Sequence, residues 1–133
     1  MTEIPSVASY LQTYVREAVA TLEAPYLRAA LEQIVPILLR ARAEDRTIFF
    51  FGNGGSASTA SHLVTDIAKV AGGTVARGPG KRFRCVSLND NVPGLTAWAN
   101  DVGYASVFSG QLQSLAEKGD VVVAISGSGN SPN

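Results

Sequence analysis

Three observations predict an α/β protein built on a parallel sheet. Short β-branched and aromatic runs at 47–51, 84–88 and 120–125 alternate with stretches of helical periodicity. The first run, Thr47-Ile48-Phe49-Phe50-Phe51, shows no polar alternation, as expected of a strand buried on both faces. Two of the runs lead straight into glycine- and hydroxyl-rich loops. These are Gly52-Asn53-Gly54-Gly55-Ser56-Ala57-Ser58 and Ser126-Gly127-Ser128-Gly129-Asn130-Ser131. Strand–helix alternation with short connections implies right-handed crossovers within one sheet.

The segment before the first strand is helical. Val7, Tyr10, Leu11, Tyr14, Val15, Ala18 and Leu22 recur at i, i+3, i+4 and i+7. Leu27, Ala30, Leu31, Ile34, Val35 and Leu38 repeat the pattern after Pro25, a residue suited to a first helical turn. Pro36 removes one backbone hydrogen bond inside this second helix, where a kink is expected. Arg40, Arg42 and Arg46 near its end suit the helix dipole. Two apolar stripes exceed what one sheet covers. Residues 1–46 are therefore expected to form a helical pair that associates with another copy, the alternative being that both helices cap their own domain, and 47–133 to form the sheet domain.

Past the first loop, 56–71 reads as a helix with Ala60, Leu63, Ile67, Val70 and Ala71 on one side, closed by Gly72-Gly73. Residues 78–82 read as a loop, 93–98 as a short helix and 104–118 as a longer one. Three strands with an unpaired edge leave apolar surface open. The second loop stops at Asn133, before the helix it is expected to open, so the C-terminal part of the domain is expected to be missing.

The 133 residues suffice for one domain, and 46% hydrophobic with 17% charged residues is ordinary for a soluble globular protein. Eleven basic and eleven acidic residues cancel, so nothing global attracts nucleic acid or an anionic membrane. The single cysteine, Cys85, excludes an internal disulfide and fits a reducing cytoplasm. Within Cys85-Val86-Ser87-Leu88 it reads as a buried thiol rather than a nucleophile. No apolar run approaches the ~20 residues of a membrane span. The N-terminus lacks the basic and apolar regions of a signal peptide.

Open α/β sheets bind ligands at the carboxyl ends of their strands, where helix N-termini offer free N–H groups to an anion. Glycines in the first loop permit close backbone approach, and Ser56 can cap the next helix while facing an anion. No Gly-Lys-Ser/Thr follows, so this is no Walker loop, and the dinucleotide fingerprint is incomplete. A plain tight turn is the alternative. In the second loop, Ser126, Ser128 and Ser131 form a nest of neutral donors suited to phosphate. A Ser/Gly linker is the alternative there, against which the preceding strand argues. Together the loops suggest one phosphate-bearing ligand held from two sides.

His62 and Asp66 share a helix face at i, i+4 spacing. That spacing serves two metal ligands, an acid/base pair or an ordinary surface ion pair. Asn100-Asp101 reads either as part of the same edge or as a turn or N-cap before the next helix. Arg77, Lys81, Arg82 and Arg84 surround a Gly/Pro loop; solvation, substrate steering and subunit contact are all open to them. Trp98 reads as a packing residue.

The ordered set Gly52-Asn53-Gly54-Gly55-Ser56-Ala57, His62, Ala99-Asn100-Asp101, Gly119-Asp120 and Ile125-Ser126-Gly127-Ser128-Gly129-Asn130-Ser131 resembles the sugar isomerase (SIS) domain family over essentially the whole chain. The resemblance implies a three-layer α/β/α flavodoxin-like fold, assembled as a homotetramer through the N-terminal helices. It implies a phosphorylated sugar as ligand, its phosphate on Ser126, Ser128 and Ser131 and its sugar lined by Asn53, Gly54 and Ser56, with Asn100 and Asp101 beside it. The implied reaction is an aldose–ketose rearrangement of sedoheptulose 7-phosphate to D-glycero-D-manno-heptose 7-phosphate, assisted by zinc on His62 and Asp66. His62, Asp66 and Asp101 are then the catalytic candidates. Two departures stand out. The family's His-x-x-x-Glu is here His62-x-x-x-Asp66, one methylene shorter, and a late Gln and His that complete the metal site have no counterpart up to Asn133. The competing expectation is a non-catalytic family member that binds a phosphosugar or a partner protein, such as a replication initiator.

Overall fold

A computed structural model describes residues 6–71 and 81–133. The expected Gly72-Gly73 helix stop, Arg77, the Gly78-Pro79-Gly80 turn and the side chains of Val70 and Ala71 lie outside the described residues. The chain separates into two compact units, Met1–Pro36 and Ile37–Asn133.

The first unit is helical. Helix α1 spans Val7–Leu22, and Ser6 caps it by accepting a hydrogen bond from the Ser9 N–H at 3.2 Å. Helix α2 spans Pro25–Ala43 and runs on through Pro36 without interruption. None of the residues of α1 is buried, and Val7, Tyr10, Leu11, Tyr14 and Leu22 are exposed. The apolar stripe of the sequence is therefore real as a pattern and unburied within the single chain.

The second unit is a three-stranded parallel sheet in the order β2-β1-β3. Strand β1 spans Thr47–Gly52, β2 Arg84–Ser87 and β3 Val121–Ile125. Thr47 pairs with Arg84 on one side of β1, and Ile48 with Val121 on the other. The central position of β1 accounts for its unbroken apolar run, since neighbouring strands flank it and helices cover both its faces. Helix α3, Gly55–Asp66, widens into a π-turn over Ile67–Ala71; α4 spans Val92–Asp101 and α5 Ser109–Leu115.

Alternation along β1 divides the core. Ile48 and Phe50 pack with Ala60 of α3 and Ala41 of α2, joined by Leu38, Leu63, Val64 and Ile67. Phe49 packs on the opposite face with Leu88, Val107 and Phe108, joined by Trp98 of α4 and Leu112 of α5. The result is the expected three-layer arrangement. Each fully buried Phe or Ile contributes on the order of 1.5–3 kcal/mol, so β1 anchors both layers. Trp98 is the packing residue expected, so close to Gly110 that a Cβ there would lie 2.4 Å from its ring.

Two expectations change. The helix expected over 104–118 is broken into a 3-10 turn, Tyr104–Ser106, and the short α5. Val107 and Phe108 sit fully buried at the break, so core packing outweighs helical periodicity there. Arg84, grouped with the Gly/Pro loop, starts β2 opposite Thr47, at the other end of the sheet from the glycine loops. Lys81 donates to the Ala43 carbonyl at 2.6 Å and to Asp45 at 2.7 Å, closing the end of α2.

Candidate functional site

The strand order creates the site. The connection from β1 to β2 carries α3 on one face of the sheet, while that from β2 to β3 carries α4 and α5 on the other. The chain thus leaves β1 into α3 on one face and reaches β3 from α5 on the other, and the carboxyl ends of this neighbouring pair lie side by side where the strand order reverses. Both glycine loops emerge there, directly after Gly52 and Ile125, which are register partners.

Gly52 is required by close approach. A Cβ at this position would lie 2.6 Å from the Ser56 Cβ and 2.7 Å from the Ile125 carbonyl oxygen. The Asn89 side chain holds it in place: Asn89 Oδ1 accepts from the Gly52 N–H at 3.1 Å, and Asn89 Nδ2 donates to the Gly52 carbonyl at 2.9 Å. Gly54 has φ 55° and ψ −122°, a conformation costly for other residues. Gly54, rather than the expected Ser56, occupies the N-cap of α3, with no side-chain cap. Ser56 lies in the first turn, its backbone N–H bonded to the Asn53 carbonyl at 3.0 Å. Its hydroxyl makes no hydrogen bond among the described residues, so it is free to face a ligand.

The serine loop is tied by its own hydroxyls. Ser126 Oγ accepts from the Gly129 N–H at 2.9 Å, and Ser128 Oγ from the Asn130 N–H at 3.2 Å. Gly129 turns the chain with φ 68°. An oxygen that accepts from a backbone N–H keeps its own O–H for donation, and that O–H is fixed in origin. The loop is therefore an ordered set of neutral donors, not a free linker. Asn53, Ser126 and Ser131 line one cavity of about 60 Å³, floored by Phe51 and Phe108. That volume admits a group the size of about two waters.

Three side chains missed in the sequence complete this edge. Besides Asn89, Tyr104 donates from its hydroxyl to Asn53 Oδ1 at 3.0 Å. Asn133 exchanges two amide hydrogen bonds with Asn53, at 2.8 and 3.0 Å. A polar residue on the turn after β2 is the signal that could have found Asn89; Tyr104, which follows α4, and Asn133 reach Asn53 only through long-range contact.

The remaining candidates stand apart from that cavity. His62 Nε2 lies 3.3 Å from Asp66 Oδ2, on an exposed face of α3. Asn100 Nδ2 donates to Asp101 Oδ1 at 2.7 Å. Asp101 closes α4 rather than capping the next helix, which removes that alternative for it. It lines a separate cavity of about 200 Å³ with Ala97, Trp98 and Val102. Among the described residues no group of three or more His, Cys, Asp or Glu side chains could hold a metal ion. Zinc needs three or four protein donors. His62 and Asp66 offer two, so these residues do not fit a whole zinc site. Cys85, packed against the inner core, has its thiol pushed up to about 11 by burial, as a structural thiol should.

Fold and site together define a parallel α/β domain with two donor loops at its topological switch point. Residues 13–133 match the SIS domain, and the chain belongs to that family. It is 41% identical over 107 residues to a phosphoheptose isomerase of Helicobacter pylori, covering 80% of this chain and 53% of the relative. The structure of a phosphoheptose isomerase from Neisseria gonorrhoeae matches with a TM-score of 0.63 and 33% identity, over 90% of this chain and 64% of that one. A phosphoheptose isomerase from Francisella tularensis shares the fold, with a TM-score of 0.79 at 23% identity, over all of this chain and 65% of that one. The chain thus spans about half to two thirds of the length of the relatives it matches. Among the described residues, no helix is long and apolar enough to cross a membrane.

Proposed function

We propose that the chain binds a phosphorylated sugar at the carboxyl ends of β1 and β3. We further propose that its activity is the isomerisation of sedoheptulose 7-phosphate to D-glycero-D-manno-heptose 7-phosphate. One observation carries this reading: donors from both loops, Asn53 on one side and Ser126 and Ser131 on the other, meet on one cavity. The similarity to phosphoheptose isomerases supports the choice of sugar.

In this reading the hydroxyls of Ser126, Ser128 and Ser131 hold the phosphate, and Asn53, Gly54, Ser56 and Asn100 orient the sugar. Neutral donors bind a phosphate without a tight ion pair, which favours release of product. An aldose–ketose rearrangement needs a base to remove a proton beside the carbonyl and return it to the neighbouring carbon. Asp66, paired with His62, and Asp101 are the carboxylates proposed for that task. Zinc belongs to the proposal only in that His62 and Asp66 would supply two of its ligands, short of a whole site, and no step is routed through it. The exposed apolar residues of α1 support self-association of the helical pair 1–46; its number, four, is proposed from the family resemblance, and a cytoplasmic place from the single cysteine.

A second reading is binding without turnover. It is favoured by Asp66 standing where a longer glutamate is expected, since about 1 Å of misplacement can cost 100-fold in rate. Incubation with sedoheptulose 7-phosphate, with and without zinc, decides between them. Conversion followed by proton NMR supports the isomerase. Saturable binding without conversion selects the second reading, and neither binding nor conversion overturns both.

A further inference from the structure

We propose that Tyr104 and Asn133 are positioning residues that hold the Asn53 carboxamide as a single hydrogen-bond donor towards the bound phosphosugar. This rests on the phosphosugar assignment. A primary amide offers two acceptor lone pairs and two donor hydrogens. Asn53 Oδ1 accepts from the Tyr104 hydroxyl at 3.0 Å and from Asn133 Nδ2 at 3.0 Å. Asn53 Nδ2 donates to Asn133 Oδ1 at 2.8 Å. Both lone pairs and one hydrogen are thus engaged, and one N–H remains. The remaining valence can only donate. It matches a ligand oxygen with a lone pair, such as a phosphoryl, carbonyl or hydroxyl oxygen, and offers nothing to a ligand donor.

The three partners come from three segments. Asn53 follows β1, Tyr104 follows α4, and Asn133 lies beyond the serine loop. Tyr104 stands 51 residues from Asn53 and Asn133 stands 80, so no local turn accounts for their meeting. The reciprocal amide pair ties the first loop to the second. Donors from both loops are then presented at fixed spacing before a ligand arrives, which lowers the ordering cost of binding. Tyr104 is 52% exposed, so burial of its ring is a weak reason for its place. Its hydroxyl makes one hydrogen bond among the described residues, the one to Asn53.

The test measures titration calorimetry with sedoheptulose 7-phosphate on the wild-type chain, Tyr104→Phe and Asn133→Ala. The side-chain amide resonances of Asn53 are recorded in each unliganded protein. Loss of one hydrogen bond is expected to weaken binding about five-fold in Tyr104→Phe. The Asn53 Nδ2 resonances are expected to move in both variants, a change that a purely packing role for the ring would not produce. Should Tyr104→Phe fail to fold, Asn133→Ala carries the same two readouts. Wild-type binding matched by both variants, with unmoved Asn53 resonances, overturns the positioning role and leaves the phosphosugar reading standing. Absence of binding by the wild type removes both.

Discussion

Ser126 and Ser128 show how much a single side chain can be asked to do in this site. Each oxygen accepts from a backbone N–H of its own loop and retains its proton for a ligand. Ser128→Ala removes both, so phosphosugar affinity is expected to fall about five- to ten-fold with the fold intact, measured by calorimetry beside circular dichroism. Gly52 is a residue of the opposite kind, kept for what it lacks. Gly52→Ala places a methyl 2.6 Å from the Ser56 Cβ and 2.7 Å from a carbonyl oxygen. A loss of about 1–3 kcal/mol in denaturant-measured stability is expected, as for other overpacked positions. Cys85 supplies a chemical probe of burial. Its neutral thiol is favoured in the folded state, so its contribution is complete below the ordinary value of 9.0 and is lost as pH rises towards about 11. Thiol reagents at pH 8 are expected to label the unfolded chain readily and the native chain slowly; equal rates would contradict its place in the core.

Among the elements, the strands and α1 were legible in the sequence, and the reason is the spacing of their apolar residues, continuous in the strands and at helical intervals in α1. Thr47–Phe51 lies in the middle of the sheet and could be read from its apolar run alone. The helix over 104–118 could not, because Val107 and Phe108 are drawn into the core against helical continuity. The serine loop was recognisable from its hydroxyl spacing. The Asn53 junction was not, since Tyr104 and Asn133 reach it only through tertiary contact. Asp120 shows a similar division. The strand was expected to begin with it, yet its carboxylate works as a clamp, accepting from the Thr47 N–H at 2.8 Å and the Glu117 N–H at 2.9 Å. Desolvation raises its pKa, but these two bonds and then the nearby Arg46 and Arg84 outweigh it and hold the carboxyl below its ordinary 3.8. A lowered folded value means stability present above 3.8 and lost as pH falls through the folded value. Asp120→Asn is expected to flatten that acid limb in a pH series of thermal melts; an unchanged limb would assign it to other carboxylates.

For the whole molecule, the helical unit exposes Tyr10, Leu11, Tyr14 and Val15 on one chain. Contiguous apolar surface of this kind marks association. Light scattering is expected to give a homo-oligomer that Leu11→Asp shifts towards monomer; a monomeric wild type would contradict the association. A cleft of about 470 Å³ in the same unit is apolar apart from Arg28 and Glu32, which pair with each other, so chemistry is not assigned to it. Chemistry is assigned instead to the small cavity at the switch point, where Asn53, Ser126 and Ser131 stand over an apolar floor. The sheet carries its donors there, and its amino edge carries the Asp120 clamp. The most direct test of that assignment is an amide chemical-shift titration of the chain with sedoheptulose 7-phosphate. Perturbations concentrated at 53–56 and 126–131 are predicted. Perturbations confined to the amino edge around Arg46, Arg84 and Asp120, or none at saturating sugar phosphate, would contradict it.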